Sequence, residues 1–307
     1  MTEPVWVSAH IFRHDDLDDL LLTQIAPLMS DLAADGLVLG FFYLRYWDGG
    51  PHVRLRMRTA AAHTGEVRER VTDRLGAHLR ANPSRHPADP DDYERLAAGF
   101  AGLEGMSGYE PLLPPDTIRF IPYPPEHLSF GHGASLASVE RHFCASTTVA
   151  LDTLRTPPPQ RLSAAMVMTL AALLCLPADA PQVDTHLLDQ AGTMMNGPEP
   201  TISDATEAKV AWARSRHELS AMAERLRTAD LSGTPRIPAL AWLRSVRDLR
   251  DRLAALRRDG AFASGFPDPI AHALDRCLHL HLNRLGISLT QEARLRRMAL
   301  LTLRDLR

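Results

Sequence analysis

The 307-residue sequence predicts an α+β protein, and three observations carry that reading. Short runs rich in β-branched and aromatic residues alternate with helical runs only up to about residue 123. Two of these β-type runs flank DGGP, a tight turn demanding the positive φ that glycine accepts. From about Ser135 onward the patterned segments repeat their apolar residues at three- and four-residue spacing, the period of a helix.

Each element has its own signal. WVSAHIF (6–12) reads as the first strand. DDLDDLLLTQIAPLMSDLAAD (15–35) reads as a helix with acids in its first turn, Gly36 after its end and a kink expected at Pro27. LVLGFFYLRYW (37–47) and HVRLRMR (52–58) are strands, and 64–81 is a second helix. A proline-bearing stretch with a short helix near DDYERLAAGF precedes TIRFIPY (117–123), another strand. The order βαββαβ predicts a ferredoxin-like antiparallel sheet packed with a C-terminal all-α half. Breaks in the helical half are expected at Pro157 to Pro159, around 197–200 and around 233–238. The expected division is 1–134 and 135–307, working as one functional unit.

Composition narrows the partners. A hydrophobic content of 45% supports a buried core, and a formal charge of −3 gives no general attraction for nucleic acid or anionic membrane. No apolar run reaches membrane-spanning length and MTEPVWVSAH lacks a secretory layout, so the expected compartment is the cytosol. Cys144, Cys175 and Cys277 are too few and scattered for a disulfide framework or thiolate metal site and are expected in the core. Lys209 is the sole lysine. The remaining cations are arginines, whose planar fork binds carboxylates in a bidentate way.

RYWDGGPHVRLRMR (45–58) concentrates that positive charge. A symmetric DGGP turn sets Trp47 opposite His52, Arg45 opposite Arg54, Tyr43 opposite Arg56 and Phe41 opposite Arg58, with Tyr46, Leu44 and Phe42 on the other face. Directly opposed arginines need solvent, acids or a bound anion to be tolerable. A solvated outer face is one reading; a ligand site is the other, favoured by Phe41, Tyr43 and Trp47, which have little reason to line a purely solvated surface.

DRCLHLHLNRLG (275–286) is the second concentration. On a helix His279 and Asn283 form an i, i+4 pair, while His281 and Arg284 form an i, i+3 pair on a neighbouring face. Imidazoles two residues apart point about 200° apart around the axis, so the spacing argues against a shared metal. One buried, structural histidine and one exposed histidine is the competing reading. Gly286 is expected to stop this helix and SLTQ (288–291) to cap the next. YPPEHLSFGHGASLASVERHF (123–143) reads as a turn-and-cap segment. Phosphate-cradling glycine loops, a dinucleotide fingerprint, CxxC pairs and HExxH are missing, which favours chemistry without cofactor or metal.

Taken in order, FFYLRYWDGGPHVRLRMR, YPPEHLSFGHG, VERHF and HLHLNRLG resemble the lantibiotic dehydratase C-terminal family, also called the thiopeptide-type bacteriocin biosynthesis domain, over nearly the whole chain. The resemblance implies one of two reactions on a ribosomally made precursor peptide. The first eliminates glutamate from glutamylated Ser or Thr to leave a dehydroamino acid. A partner enzyme supplies the ester from glutamyl-tRNA, and this chain then acts as a free-standing elimination protein. The second joins two dehydroalanines by a formal [4+2] cycloaddition, expels the leader and forms a pyridine-centred macrocycle.

The resemblance also assigns catalytic roles to Arg54, Arg56 and one of His279 and His281. Pro125 and Ser129 stand where eliminating members often carry arginine, a departure that keeps cycloaddition open. For elimination, either histidine serves as base toward the Cα proton while Arg54 and Arg56 hold the departing carboxylate. Arg45, Tyr43, Trp47, His52, Glu126, Asn283 and Arg284 are the expected substrate-binding residues, with Glu126 orienting an arginine or histidine. Expected partners are a leader-bearing precursor and a separate glutamylating subunit, with no direct tRNA or membrane contact and with homodimerisation open. The non-enzyme alternative is an RNA or peptide binding module, because a βαββαβ sheet with aromatics and arginines on one face also suits RNA.

Overall fold

The structure, a computed structural model, describes residues 4–176, 202–233 and 235–306. The break expected around 197–200 lies outside the described residues. An N-terminal α/β region with a four-stranded antiparallel sheet is followed by an all-helical region, and the chain divides into compact units 1–124 and 125–307.

In the first unit, β1 (Val5–Phe12), β2 (Gly40–Tyr46), β3 (His52–Thr59) and β4 (Thr117–Phe120) pair in the order β2-β3-β1-β4. That order is the antiparallel arrangement expected from βαββαβ. Helix α1 connects β1 to β2 and has three parts: α-helical Leu17–Asp19, π-helical Leu20–Ile25 and α-helical Ala26–Ala34. The wider π turn immediately precedes Pro27, where the ring and the missing N–H disturb the regular ladder, so the expected kink takes this form. Helix α2 (Thr64–Ala81) buries Val67, Val71, Leu75 and Leu79 at four-residue steps and packs on β1, β4 and α1. Helix α3 (Pro90–Glu104) starts at Asp89, whose side chain accepts from the backbone N–H groups of Asp91 and Asp92.

The register corrects the expected hairpin. Tyr46 pairs with His52, Arg45 with Val53, Leu44 with Arg54, Tyr43 with Leu55 and Phe42 with Arg56. The connection is therefore the five residues 47–51. Gly50 N–H donates to the Trp47 carbonyl at 2.8 Å, the Asp48 carboxylate accepts from Glu110 N–H at 2.7 Å, and the Gly49 carbonyl accepts from Leu113 N–H at 2.8 Å. Drawing Trp47 into the loop shifts the pairing by one residue, which exchanges the faces of every β2 side chain. Tyr43 consequently lies in the core at 0% exposure, and Arg45, no longer opposite Arg54, forms an ion pair with Asp18 at the start of α1.

The second unit contains α4 (His127–Phe130), α5 (Ala134–Leu154), α6 (Pro158–Leu173), α7 (Ile202–Arg227), α8 (Pro238–Arg258), α9 (Pro269–Arg284) and α10 (Leu289–Asp305). Gly286, at φ 71°, ends α9 as expected, and Ile287 N–H returns to the Leu282 carbonyl. Ser288 and Gln291 form the expected capping box of α10. Cys175 and Cys277 are buried and Cys144 is half-buried. Among the described residues no helix is long and apolar enough to cross a membrane.

The five-residue turn generates a prediction. Gly50 has φ 106°, and a Cβ there meets His14 Nε2 and Leu112 Cδ1 at 2.9 Å. Gly50→Ala is expected to cost about 1–3 kcal/mol, read as a lower urea midpoint at unchanged slope; an unchanged midpoint contradicts the turn geometry.

Candidate functional site

Two clusters, one in each unit, collect the candidate residues. In the first unit the alternation of β1 and β3 sorts the sheet into unlike faces. Val7, Ala9 and Ile11 pair with Met57, Leu55 and Val53 on the core face, while Ser8 and His10 pair with Arg56 and Arg54 on the other. Arg54 and Arg56 therefore face Leu44, Phe42, Ser8 and His10 across the strands, and Arg58 faces Gly40 and Trp6, so none meets another guanidinium.

On this polar face His52 Nδ1–H donates to the Gly50 carbonyl at 2.8 Å, which leaves its Nε2 to accept from Arg54 Nε at 3.3 Å. The Arg54 guanidinium stacks 3.3 Å from the Tyr46 ring centroid. Trp6, Phe42 and Tyr123 meet edge to face at 5.0–5.9 Å, and the Arg56 guanidinium lies 4.8 Å from Tyr123 and 5.7 Å from Phe42. His10 stacks on His52 at 5.0 Å. Desolvation, then the neighbouring positive groups, hold His10 at about 3 and His52 at about 4, so both rings are neutral near pH 7. Trp47 stacks instead on Tyr46 and Phe100. Trp6, His10, Phe42 and Tyr123 escaped the sequence reading. The first two were visible in the alternation of WVSAHIF, whose odd and even positions differ in polarity.

In the second unit α9 presents two histidines to different surroundings. His281 is buried at 0% exposure with its ring stacked 4.0 Å from Trp242. Its Nδ1 is 2.8 Å from Ser146 Oγ, and its Nε2 is 3.0 Å from the Met168 sulfur. Arg284 donates to the same Ser146 hydroxyl at 3.2 Å. Burial, then Arg284 and His142, push the His281 imidazole far below its usual value. Both ring nitrogens are engaged, and the ring is a core element.

His279 lies on the half-buried stripe of α9 that also carries His272, Arg276 and Asn283, residues spaced by four, three and four. Its Nδ1 is 2.9 Å from Glu292 Oε2, and among the described residues its Nε2 has no partner. The His279 side chain is 27% exposed and that of Glu292 1%. Glu292 also accepts from Arg296 Nε at 2.8 Å, and Arg296 pairs in turn with Asp275. Burial alone raises the Glu292 carboxyl, but the charges and hydrogen bonds of His279 and Arg296 outweigh it and hold the group at about 2. An ionised Glu292 fixes the proton of a neutral His279 on Nδ1 and turns a lone pair outward on Nε2.

Around this stripe Glu126 pairs with Arg276 at 3.0 Å, and His272 Nε2 is 3.2 Å from Ser129 Oγ. The sequence reading missed Glu292, Arg276 and His272. Residues 279 and 292 lie about equally far from the turn at Gly286, and that symmetry of two antiparallel helices was the available signal. Among the described residues no group of three His, Cys, Asp or Glu side chains is placed to hold a metal ion.

The model of the lantibiotic biosynthesis dehydratase C-terminal family matches residues 6–303. The chain belongs to that family. Its structure is similar to that of the pyridine synthase TbtD from thiomuracin biosynthesis, with 23% identity, 98% of each chain covered and a TM-score of 0.75. It is similar to TsrL at 20% identity, covering 98% of this family member and 95% of TsrL with a TM-score of 0.64. It also resembles the tRNA-dependent lantibiotic dehydratase MibB from Microbispora sp. 107891 at 20% identity and a TM-score of 0.61, covering 98% of this chain and 28% of MibB. Among curated proteins none matches the sequence.

The buried imidazoles set a pH dependence. His10, His52 and His142, held at about 3, 4 and 3 against an ordinary 6.5, are neutral when folded and take up protons on unfolding. Stability is therefore full above about pH 6.5 and falls as the pH drops toward 4, by roughly 1.4 kcal/mol per pH unit for each histidine. Urea midpoints at pH 8, 6 and 5 check this; a flat profile contradicts neutral burial.

Proposed function

We propose that this family member catalyses the formal [4+2] cycloaddition of two dehydroalanines in a dehydrated precursor peptide, with expulsion of the leader. The observation that carries the reading is the structural likeness to a pyridine synthase over 98% of both chains. Pro125 and Ser129, standing where eliminating relatives often carry arginine, support it. The second reading is glutamate elimination, favoured by the match to a dehydratase family.

The reaction asks for proton transfer rather than a strong nucleophile. One dehydroalanine serves as an aza-diene when its preceding amide is in the iminol form, with the N–H proton moved to oxygen. After the two ring bonds form, aromatisation expels water and the leader as its amide. A base that takes a proton and returns it suits both stages, and His279 fits that role: Nε2 faces outward while Glu292 stabilises the imidazolium that forms. In the first unit Arg54 and Arg56, each against an aromatic ring, give the polar face of the sheet planar cations suited to the carbonyl oxygens of a peptide. His281 serves the helical core.

The assay supplies a multiply dehydrated precursor to the protein and follows it by mass spectrometry. Conversion to a macrocycle with leader loss is expected. Failure on that substrate, together with glutamate release from a glutamylated precursor, transfers the assignment to elimination. His279→Asn is expected to lower turnover of the fully folded protein roughly 10²- to 10⁴-fold, with a fall in urea midpoint because Glu292 loses one partner, whereas His281→Asn lowers the midpoint while the protein that remains folded keeps its turnover. The reverse pattern contradicts the assignment.

A further inference from the structure

We propose that the cleft between α5 and α8, away from the His279 stripe, is a subsite for a carboxylate on a short aliphatic stem. It encloses about 440 Å³ and is walled by Arg141 and His142 from α5 and by Arg244, Asp248, Leu249 and Arg252 from α8. Residues 244, 248 and 252 follow one another at four-residue steps, so one side of α8 faces the cleft. Three guanidinium groups meet a single carboxylate there, and the excess positive charge selects an anion.

The donors are already arranged. Arg141 Nη2 donates to Ser138 Oγ at 3.0 Å, and Arg244 Nη1 donates to the Gly233 carbonyl at 2.6 Å while its Nε lies 3.9 Å from Asp248. Arg252 makes no hydrogen bond or ion pair among the described residues. A guanidinium has five N–H donors, so each retains several for a ligand.

His142 lies beneath these arginines as part of the cleft lining. It is 4% exposed and lines the cleft, its Nδ1 is 2.7 Å from Ser245 Oγ, and its buried Nε2 has no partner among the described residues. Burial first, then the Arg284 charge, keep the ring neutral. Ala145, Ala241 and Pro235 complete the wall with Leu249 and accommodate methylene groups.

The carboxylate has two sources. One is an acidic side chain of the peptide substrate, which rests on the peptide-modifying reading above; the other is free glutamate. Calorimetry with the full chain separates them, using an acetylated, amidated hexapeptide with one glutamate between leucines, its glutamine counterpart, and glutamate itself. The glutamate peptide is expected to bind, the glutamine peptide to fail, and Arg141→Gln/Arg252→Gln to weaken binding roughly tenfold or more. Asp248→Asn, which removes the competing carboxylate, is expected to tighten it. Binding of the peptide but not of glutamate assigns the site to the substrate side chain; binding of glutamate with the same arginine dependence assigns it to the free amino acid. Equal binding of the two peptides, indifference to the arginine pair, or no binding of either carboxylate overturns the proposal. His279→Asn leaves this binding intact, so a failed subsite and a failed cycloaddition are distinguished.

Discussion

The contact on which this reading depends is the hydrogen bond between His279 Nδ1 and the buried carboxylate of Glu292. A carboxylate in an apolar interior is costly unless it is paired on every side, and Glu292 meets that condition through His279 and Arg296. Arg296, itself buried, is completed by Asp275. The chain Asp275–Arg296–Glu292–His279 thus ties α9 to α10 and ends at an imidazole with an open nitrogen. Breaking any link leaves a charge in the core, so the geometry that orients His279 also holds the helix pair together.

In the first unit aromatic rings surround the corresponding cations. Arg45 left the polar face and found Asp18, while Arg54 and Arg56 remained and lie against Tyr46, Phe42 and Tyr123. An aromatic face attracts a cation without neutralising it. Arg54 and Arg56 thus lie on the polar face of the sheet against aromatic rings, whereas Arg45 ties β2 to the start of α1. The neutral histidines beside them avoid adding to the positive field.

Much of this architecture was legible because it rests on local rules. The alternation of strands and helices, the stop at Gly286, the box at Ser288 and Gln291 and the disturbance at Pro27 each follow from a few neighbouring residues. The hairpin register was not legible, because DGGP permits a four-residue connection and the fifth member, Trp47, is drawn in by a hydrogen bond from Gly50 and by clamps from residues 110 and 113. Tyr43 and Arg45 changed faces for that reason alone. The two histidines of HLHLNR were equivalent in sequence. Burial separates them, and burial was decided by Trp242 and Ser146 on other helices. Glu126 forms an ion pair with Arg276, a residue the sequence did not single out.

The measurement that tests the account most directly is the proton position on His279, read from nitrogen-15 histidine spectra of the full chain at a pH where the ring is neutral. The account predicts the Nδ1–H form with an unprotonated Nε2, and loss of that preference in Glu292→Gln. A His279 ring carrying its proton on Nε2, or one whose tautomer ignores the Glu292 substitution, contradicts the claim that Glu292 aims this histidine as a base.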